Sequence, residues 1–564
     1  MSTTTPSDQK AQSVTTAESF PTRQYSYSAL SGTGRAPSGF ADAPMPSLAP
    51  GVYRFKLGRD TAPQALPPEK VLATLHDPFA QLVLGVSKMP TTLRELLKVI
   101  DALNPSEQLP RQRSFVVADG GQIPWSEKTR NVARQFRFLI TRSKDGALPD
   151  LFVSTSRDID SSTTFLQVVG WDPSAGAFQF YDRREKAWIW AGSSWDALEQ
   201  DTRGRGPFDS HVNGALNMKE LKLPWINWNS QAAQIDSALA PDDPLRKEPV
   251  WQAREGAELL EREIIRPNIE RWTDSRLKHR TNGSAIERFP ELLGQILITT
   301  TINLIASPDQ SSTVRSGHPV RLPVTFFINT DALLNVLGLD PDISVPTVDG
   351  GIYDNCLQRF AVAVTDGTER FAGDTHFVFV VPEVAFEDIA ILRRLLDQKI
   401  ISRKLAAALL MVDFCNPVFS PRRAALIRYV PATVQIAGAD DFDTALAQAV
   451  EAGAVASRPD SPEQEFLANW RLSDETWRPV FESRIKAFLD AISLKVRALD
   501  DFSEIFRLAE SRRREFRRRP LAEFRLTTPV TNIPEEAPFL EFAPDASIRQ
   551  KYKGSIPTDG PDKL

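Results

Sequence analysis

The stretch TTFLQVVGWDPSAGAFQFYDRREKAWIWAG, residues 163 to 192, decides the fold. Three short runs rich in β-branched and aromatic residues are separated by DPSAG and DRREK, two clusters of turn formers. Side chains of that kind favour a pleated surface, while Asp, Pro, Ser and Gly favour tight reversals. The spacing predicts two hairpins, Phe165–Trp171 with Ala177–Tyr181, and the latter with Trp188–Trp190, and hence an antiparallel sheet. RSFVVADGG (113–121), RQFRFLITRS (134–143) and DLFVSTSRD (150–158) extend the same texture upstream. GVYRFKLG (51–58) alternates like a further strand.

Helical signals surround this block. PPEKVLATL (67–75) and PTTLRELLKVIDAL (90–103) open on Pro and carry apolar residues at helical spacing. SSWDALEQDTRG (193–204) predicts a short helix capped by Ser193 or Ser194 and ended by Gly204. Residues 249–280 form a long helical pattern kinked at Pro267, and 287–307 another buried helix. A second mixed region reads VRLPVTFFIN (320–329) as a strand and TDALLNVLGL (330–339) as a helix capped by Thr330 or Asp331. RFAVAV and THFVFVVPE follow, the latter a strand, then two helices over 384–398 and 402–414. The expectation is an α+β chain with a β-rich, mainly antiparallel N-terminal half and a mostly helical C-terminal half holding a small mixed sheet. Its divisions are a disordered leader over 1–48, a β-rich region over 49–230, a mixed region over 231–435, a helical region over 436–522 and a Pro-rich tail over 523–564.

Composition narrows the function. A formal net charge of -5 gives no global field toward nucleic acid or an anionic membrane. Two cysteines, Cys356 and Cys415, support neither a disulfide framework nor a thiolate metal cluster. No apolar window is long enough to span a bilayer and no secretory leader opens the chain, so the expected setting is cytoplasmic. Phosphate-binding glycine loops, His-Glu-x-x-His and the Gly-x-Ser-x-Gly elbow are all absent. The run SRRREFRRRP (511–520) places six arginines between Arg512 and Arg519. Acidic neighbours and few stacking aromatics favour a solvated face or an intramolecular anchor over nucleic-acid binding.

Two of the five histidines stand in one local pattern. His211 in GPFDSHVNG and His376 in FAGDTHFVF each follow an Asp by two residues. Residues i and i+2 of an extended segment point the same way, so each pair aims a carboxylate and an imidazole at one point. His plus carboxylate is a ligand set for non-haem iron and suits manganese or zinc. His211, His376 and Asp374 are therefore the candidate metal ligands, with Asp209 and Glu383 as candidate catalytic carboxylates. Glu383 would reach the site only through a strand break at Pro382. Six of the eleven tryptophans lie between 171 and 228, which nominates Trp190, Trp225 and Asn213 as the substrate-binding surface beside His211.

Residues 207–211, Pro-Phe-Asp-Ser-His, also resemble the Cys-x-x-Cys-His haem attachment of c-type cytochromes, with Pro207 and Ser210 in place of both cysteines. The resemblance implies an axial role for His211, and for Met218 downstream, without a covalent link. The leading expectation is an oxidative metalloenzyme acting on a small organic substrate, with non-covalent haem binding as its first rival. The second rival is a non-catalytic protein that binds a protein partner through its Trp-rich sheet, arginine run and tails. The bland alternative for His211 is a turn that joins two halves of the chain.

Overall fold

A computed structural model describes residues 47–85, 89–102, 109–119, 135–209, 211, 213–216, 242–298, 302–305, 316–366, 369–372, 381–436, 439–455, 457–518 and 530–551. The expected leader therefore lies outside the described residues, apart from its last two.

The β-rich block forms a nine-stranded sheet. Its strands are β1 (Gly51–Arg54), β2 (Gln64–Leu66), β3 (Arg111–Asp119), β4 (Gln135–Ser143), β5 (Leu151–Ser156), β6 (Leu166–Asp172), β7 (Ala177–Arg184), β8 (Ala187–Ser193) and β9 (Arg254–Glu255). The spatial order is β2-β1-β8-β7-β6-β5-β4-β3-β9. From β3 to β8 each neighbour follows in sequence and runs antiparallel, as the DPSAG and DRREK turns require. Both expected hairpins are present, as Gly170↔Gln179 and Asp182↔Ile189 attest. The sheet is mixed because β1 joins β8, and β9 joins β3, in parallel.

Both faces of this sheet are covered. β7 is buried at seven consecutive positions, so its alternating side chains cannot have one wet side. One face carries Phe138, Ile140, Val153, Val168, Tyr181 and Trp188 against helices α1 (Pro68–Thr74) and α2 (Leu93–Ala102). The other carries Leu139, Phe152, Phe178, Phe180 and Ile189 against α3 (Arg266–Arg280). The predicted interruption at Pro267 is seen as a π-helical turn over Glu261–Ile265, with Pro267 in the first turn of α3. The helical backbone runs on from Ala257 through this turn, and the π turn accommodates the N–H that Pro267 lacks.

The C-terminal half is mainly helical around a separate large core. Its helices are α4 (Phe289–Ile298), α5 (Gly350–Arg359), α6 (Phe386–Asp397), α7 (Arg403–Leu410), α8 (Ala439–Ala454), α9 (Pro462–Trp470), α10 (Trp477–Lys495) and α11 (Leu499–Arg518). Its sheets are small and antiparallel. Several local expectations differ from the structure: the helix expected over 287–307 is Phe289–Ile298 and Ile302–Ile305 is a strand, while 193–204 holds only a 3-10 turn, Asp196–Leu198, capped by neither serine side chain. Of 320–329 only the first two residues are strand, as the end of Pro319–Arg321, and Val324–Phe326 turns as 3-10 helix after Pro323, whose nitrogen has no proton for a ladder. Residues 331–336 wind as a π helix, and Asn329 rather than Thr330 or Asp331 accepts the amide of Ala332, at 3.0 Å.

One buried contact locks the helical roof onto the first face. The Asp77 side chain accepts the amides of Phe79 and Ala80 at 3.0 and 3.2 Å and the Tyr181 hydroxyl at 2.5 Å. A Cβ on Gly170 would lie 2.3 Å from Asp77 Oδ1, so that strand position excludes any side chain. Burial raises the Asp77 carboxyl to about 6 from 3.8, with the Tyr181 and amide donations opposing it and nearby Asp172 adding to it. A carboxyl held above its unfolded value binds its proton more tightly in the folded chain. Stability should therefore fall as pH rises from about 4 to about 6 and stay level above, a loss of about 3 kcal/mol. Asp77→Asn should remove that slope and raise the thermal midpoint above pH 6. An unchanged slope in melting curves taken from pH 4 to 8 would contradict this assignment.

Candidate functional site

The stretch around His211 lies between the second face of the sheet and the helices that cover it. Gly206–Asp209 makes a 3-10 turn, which drives Phe208 into the core edge-on to Phe180, with ring centroids 5.5 Å apart. The amide of His211 then donates to Pro207 O at 3.2 Å, and that of Gly214 to His211 O at 2.7 Å. Gly214 has φ +74, and a Cβ there would meet the Ser194 carbonyl at 2.5 Å. Only glycine lets the turn press this closely on the end of β8. Ser194 completes the attachment, donating from Oγ to Gly214 O at 2.7 Å and accepting the Phe178 amide at 3.0 Å.

His211 is half-buried, and its ring lies 5.2 Å from that of Phe180. Its Nδ1 stands 2.7 Å from Ala215 O. A carbonyl oxygen can only accept, so Nδ1 carries the proton and, in the neutral ring, Nε2 carries the lone pair. This is the arrangement in which a backbone carbonyl orients an imidazole for a ligand on its far nitrogen.

Two residues on, Asn213 is buried and ties three segments together. Its carbonyl accepts the Trp272 indole N–H of α3 at 2.7 Å, and its Nδ2 donates to Glu387 Oε1 of α6 at 3.3 Å. Beside Glu387, buried Asp388 accepts Gln295 Nε2 at 3.1 Å, and Gln295 Oε1 accepts Arg276 Nη1 at 2.5 Å. Burial lowers the Arg276 guanidinium to about 10, opposed by the charges of Glu291 and Glu387. Arg203 is lowered for the same reason, opposed by Glu291, Asp388 and Glu387. The seam thus carries an amide, two adjacent carboxylates at a helix N-terminus and two guanidinium groups, and the His211 imidazole, two residues from Asn213 in the chain, packs on Phe180 and Ala215 O.

The other sequence candidates fall elsewhere. Trp190 donates to Gln179 Oε1 at 3.0 Å and lies under Lys56 Nζ at 4.6 Å. It packs on the face of the sheet that meets α1 and α2, opposite the face that meets His211. Glu383 sits in an unbroken strand, Val381–Val384, paired with Asn303, so its backbone is not interrupted at Pro382. Asp209 ends the 3-10 turn, with its side chain outside the described residues. Asp374, His376, Trp225 and Met218 also lie outside them. Apart from these candidates, buried Asp413 accepts Asn416 Nδ2 at 2.7 Å and Ser420 Oγ at 2.6 Å, and so closes α7 onto the following loop. Among the described residues no three or more His, Cys, Asp or Glu side chains are grouped to hold a metal, and no helix is long and apolar enough to cross a membrane.

The chain matches no protein-family model, no curated protein and no solved structure. The seam therefore rests on its own geometry. Sequence reasoning passed over Glu387, Asp388, Arg276 and Gln295. Acids in a first helical turn are commonplace, but Gln295 inside LLGQILI was a signal, because an amide in an apolar helix needs a buried partner.

Asn213→Ala removes the donor to Glu387 and should destabilise the chain by about 2 kcal/mol in urea unfolding. Asn213→Asp should cost more at neutral pH and recover in acid, as protonation relieves two carboxylates facing each other. Unfolding midpoints that move in neither variant would show that the seam does not join the halves.

Proposed function

We propose that the seam is the active site of a metal-dependent oxidative enzyme acting on a small organic substrate. The observation that carries the reading is the 2.7 Å contact from His211 Nδ1 to Ala215 O, which puts the proton on Nδ1 and would make Nε2 the nitrogen for a metal. Two features support the location. Binding sites favour the junction of two structural halves, and this junction holds buried Glu387 on the side-chain amide of Asn213, two residues from His211. Iron held by imidazole and carboxylate, with coordination positions left open, would supply dioxygen chemistry. His211 would be its described ligand, with His376 and Asp374 completing the set. Asn213 would hold Glu387 toward the substrate.

Metal analysis and an absorption spectrum of the purified chain test the proposal. The expected result is near-stoichiometric iron, manganese or zinc that is lost from folded His211→Ala and from folded His376→Ala. A Soret band that His211→Ala abolishes would replace the reading with non-covalent haem. A chain that takes up no metal on reconstitution, or binds it equally well in both variants, would overturn it.

A further inference from the structure

We propose that residues 530–551 are a separable clasp, an irregular segment leading into a short hairpin centred on Phe542, that the helical half binds as a ligand. The arginine run and the Pro-rich tail, which the sequence leaves unconnected, meet here. Arg512, Arg513 and Arg514 of α11 are all buried. Arg513 pairs with Glu510 of its own helix at 2.5 Å. Arg514 turns to the tail, donating from Nη1 to the carbonyls of Glu535 and Ala537 at 3.1 and 2.7 Å and from Nη2 to that of Pro538 at 3.4 Å. Ser511 Oγ accepts the amide of Leu540 at 2.8 Å.

Asn416, in the loop after α7, reads one residue from both sides. Its Oδ1 accepts the Phe542 amide at 3.0 Å and its Nδ2 donates to the Phe542 carbonyl at 2.9 Å. A side-chain amide here takes the place of a neighbouring strand. The Phe542 ring is fully buried among Phe326, Phe327 and Phe488, with centroids 6.2, 5.9 and 5.5 Å away. Beyond a small antiparallel pairing of Leu540–Phe542 with Ile548–Gln550, Lys551 reaches Glu515 at 2.7 Å and Phe419 O at 3.2 Å.

Main-chain groups read by fixed side chains, with one aromatic anchor in a pocket, are how a groove recognises an extended peptide. The loop that supplies Asn416 also holds Asp413 at φ 54 and Phe419 at φ 55. Left-handed backbone at a Phe is strained and persists only where contacts over-determine it. The clasp provides such contacts at Asn416 and Phe419, so its docking and the loop's conformation are coupled.

The test uses the full chain with a site-specific protease sequence placed within 519–529. After cutting, the C-terminal fragment should co-elute with the body on gel filtration and exchange for a labelled peptide of residues 530–551. A peptide carrying Phe542→Ala should bind about a hundredfold more weakly. Because that change is made in the peptide, the body's folding is untouched. Aggregation of the body on cutting, loss of the fragment without replacement by the peptide, or equal binding of the two peptides would each overturn the proposal.

Discussion

A sheet whose strands are buried on both faces cannot stand at a surface, and that constraint organises the rest of the chain. Buried positions run on without alternation through β7 and most of β8, so two roofs are needed. The first comes from the segment before β3 and is locked by Asp77. The second comes from α3, after β9, and from the turn at 204–216. Because α3 also packs against α6, the second roof fastens the sheet to the helical half.

The stretch with the most conspicuous chemistry is thus also a structural tie. Its glycine-dependent turn, buried Phe208 and Asn213 contacts are what a joint requires. The contact of His211 Nδ1 with Ala215 O is one more tie of that joint, and it fixes the tautomer of the neutral ring. A site built on such a joint would have its geometry set by both halves.

The fold class and its strand runs were legible because they depend on local pattern. DPSAG and DRREK turn the chain, and the β3 to β8 meander follows their order. What was not legible depends on partners far away in sequence. The arginine run reads as either a solvated face or an intramolecular anchor, and only the return of residues 535–538 to Arg514 decides for the anchor. Gly170 looks like a weak point in LQVVGWD until Asp77 occupies its missing Cβ. Trp190 and His211 seem neighbours in one aromatic-rich region, yet the pleat sends their contacts to opposite faces. Pro323 and Pro382 show the limit of a single rule. One ends a strand, and the other sits in a two-stranded ladder whose edge tolerates it.

The central claim is that the turn at 204–216, α3 and the sheet form one cooperative unit. Its most direct test is hydrogen exchange at the Trp272 indole N–H, which donates to Asn213 O at 2.7 Å from a buried position. The account predicts that this proton exchanges no faster than the slowest amides of β6 and β7, because both open only when the unit unfolds. An indole proton that exchanges orders of magnitude faster than those amides would contradict it.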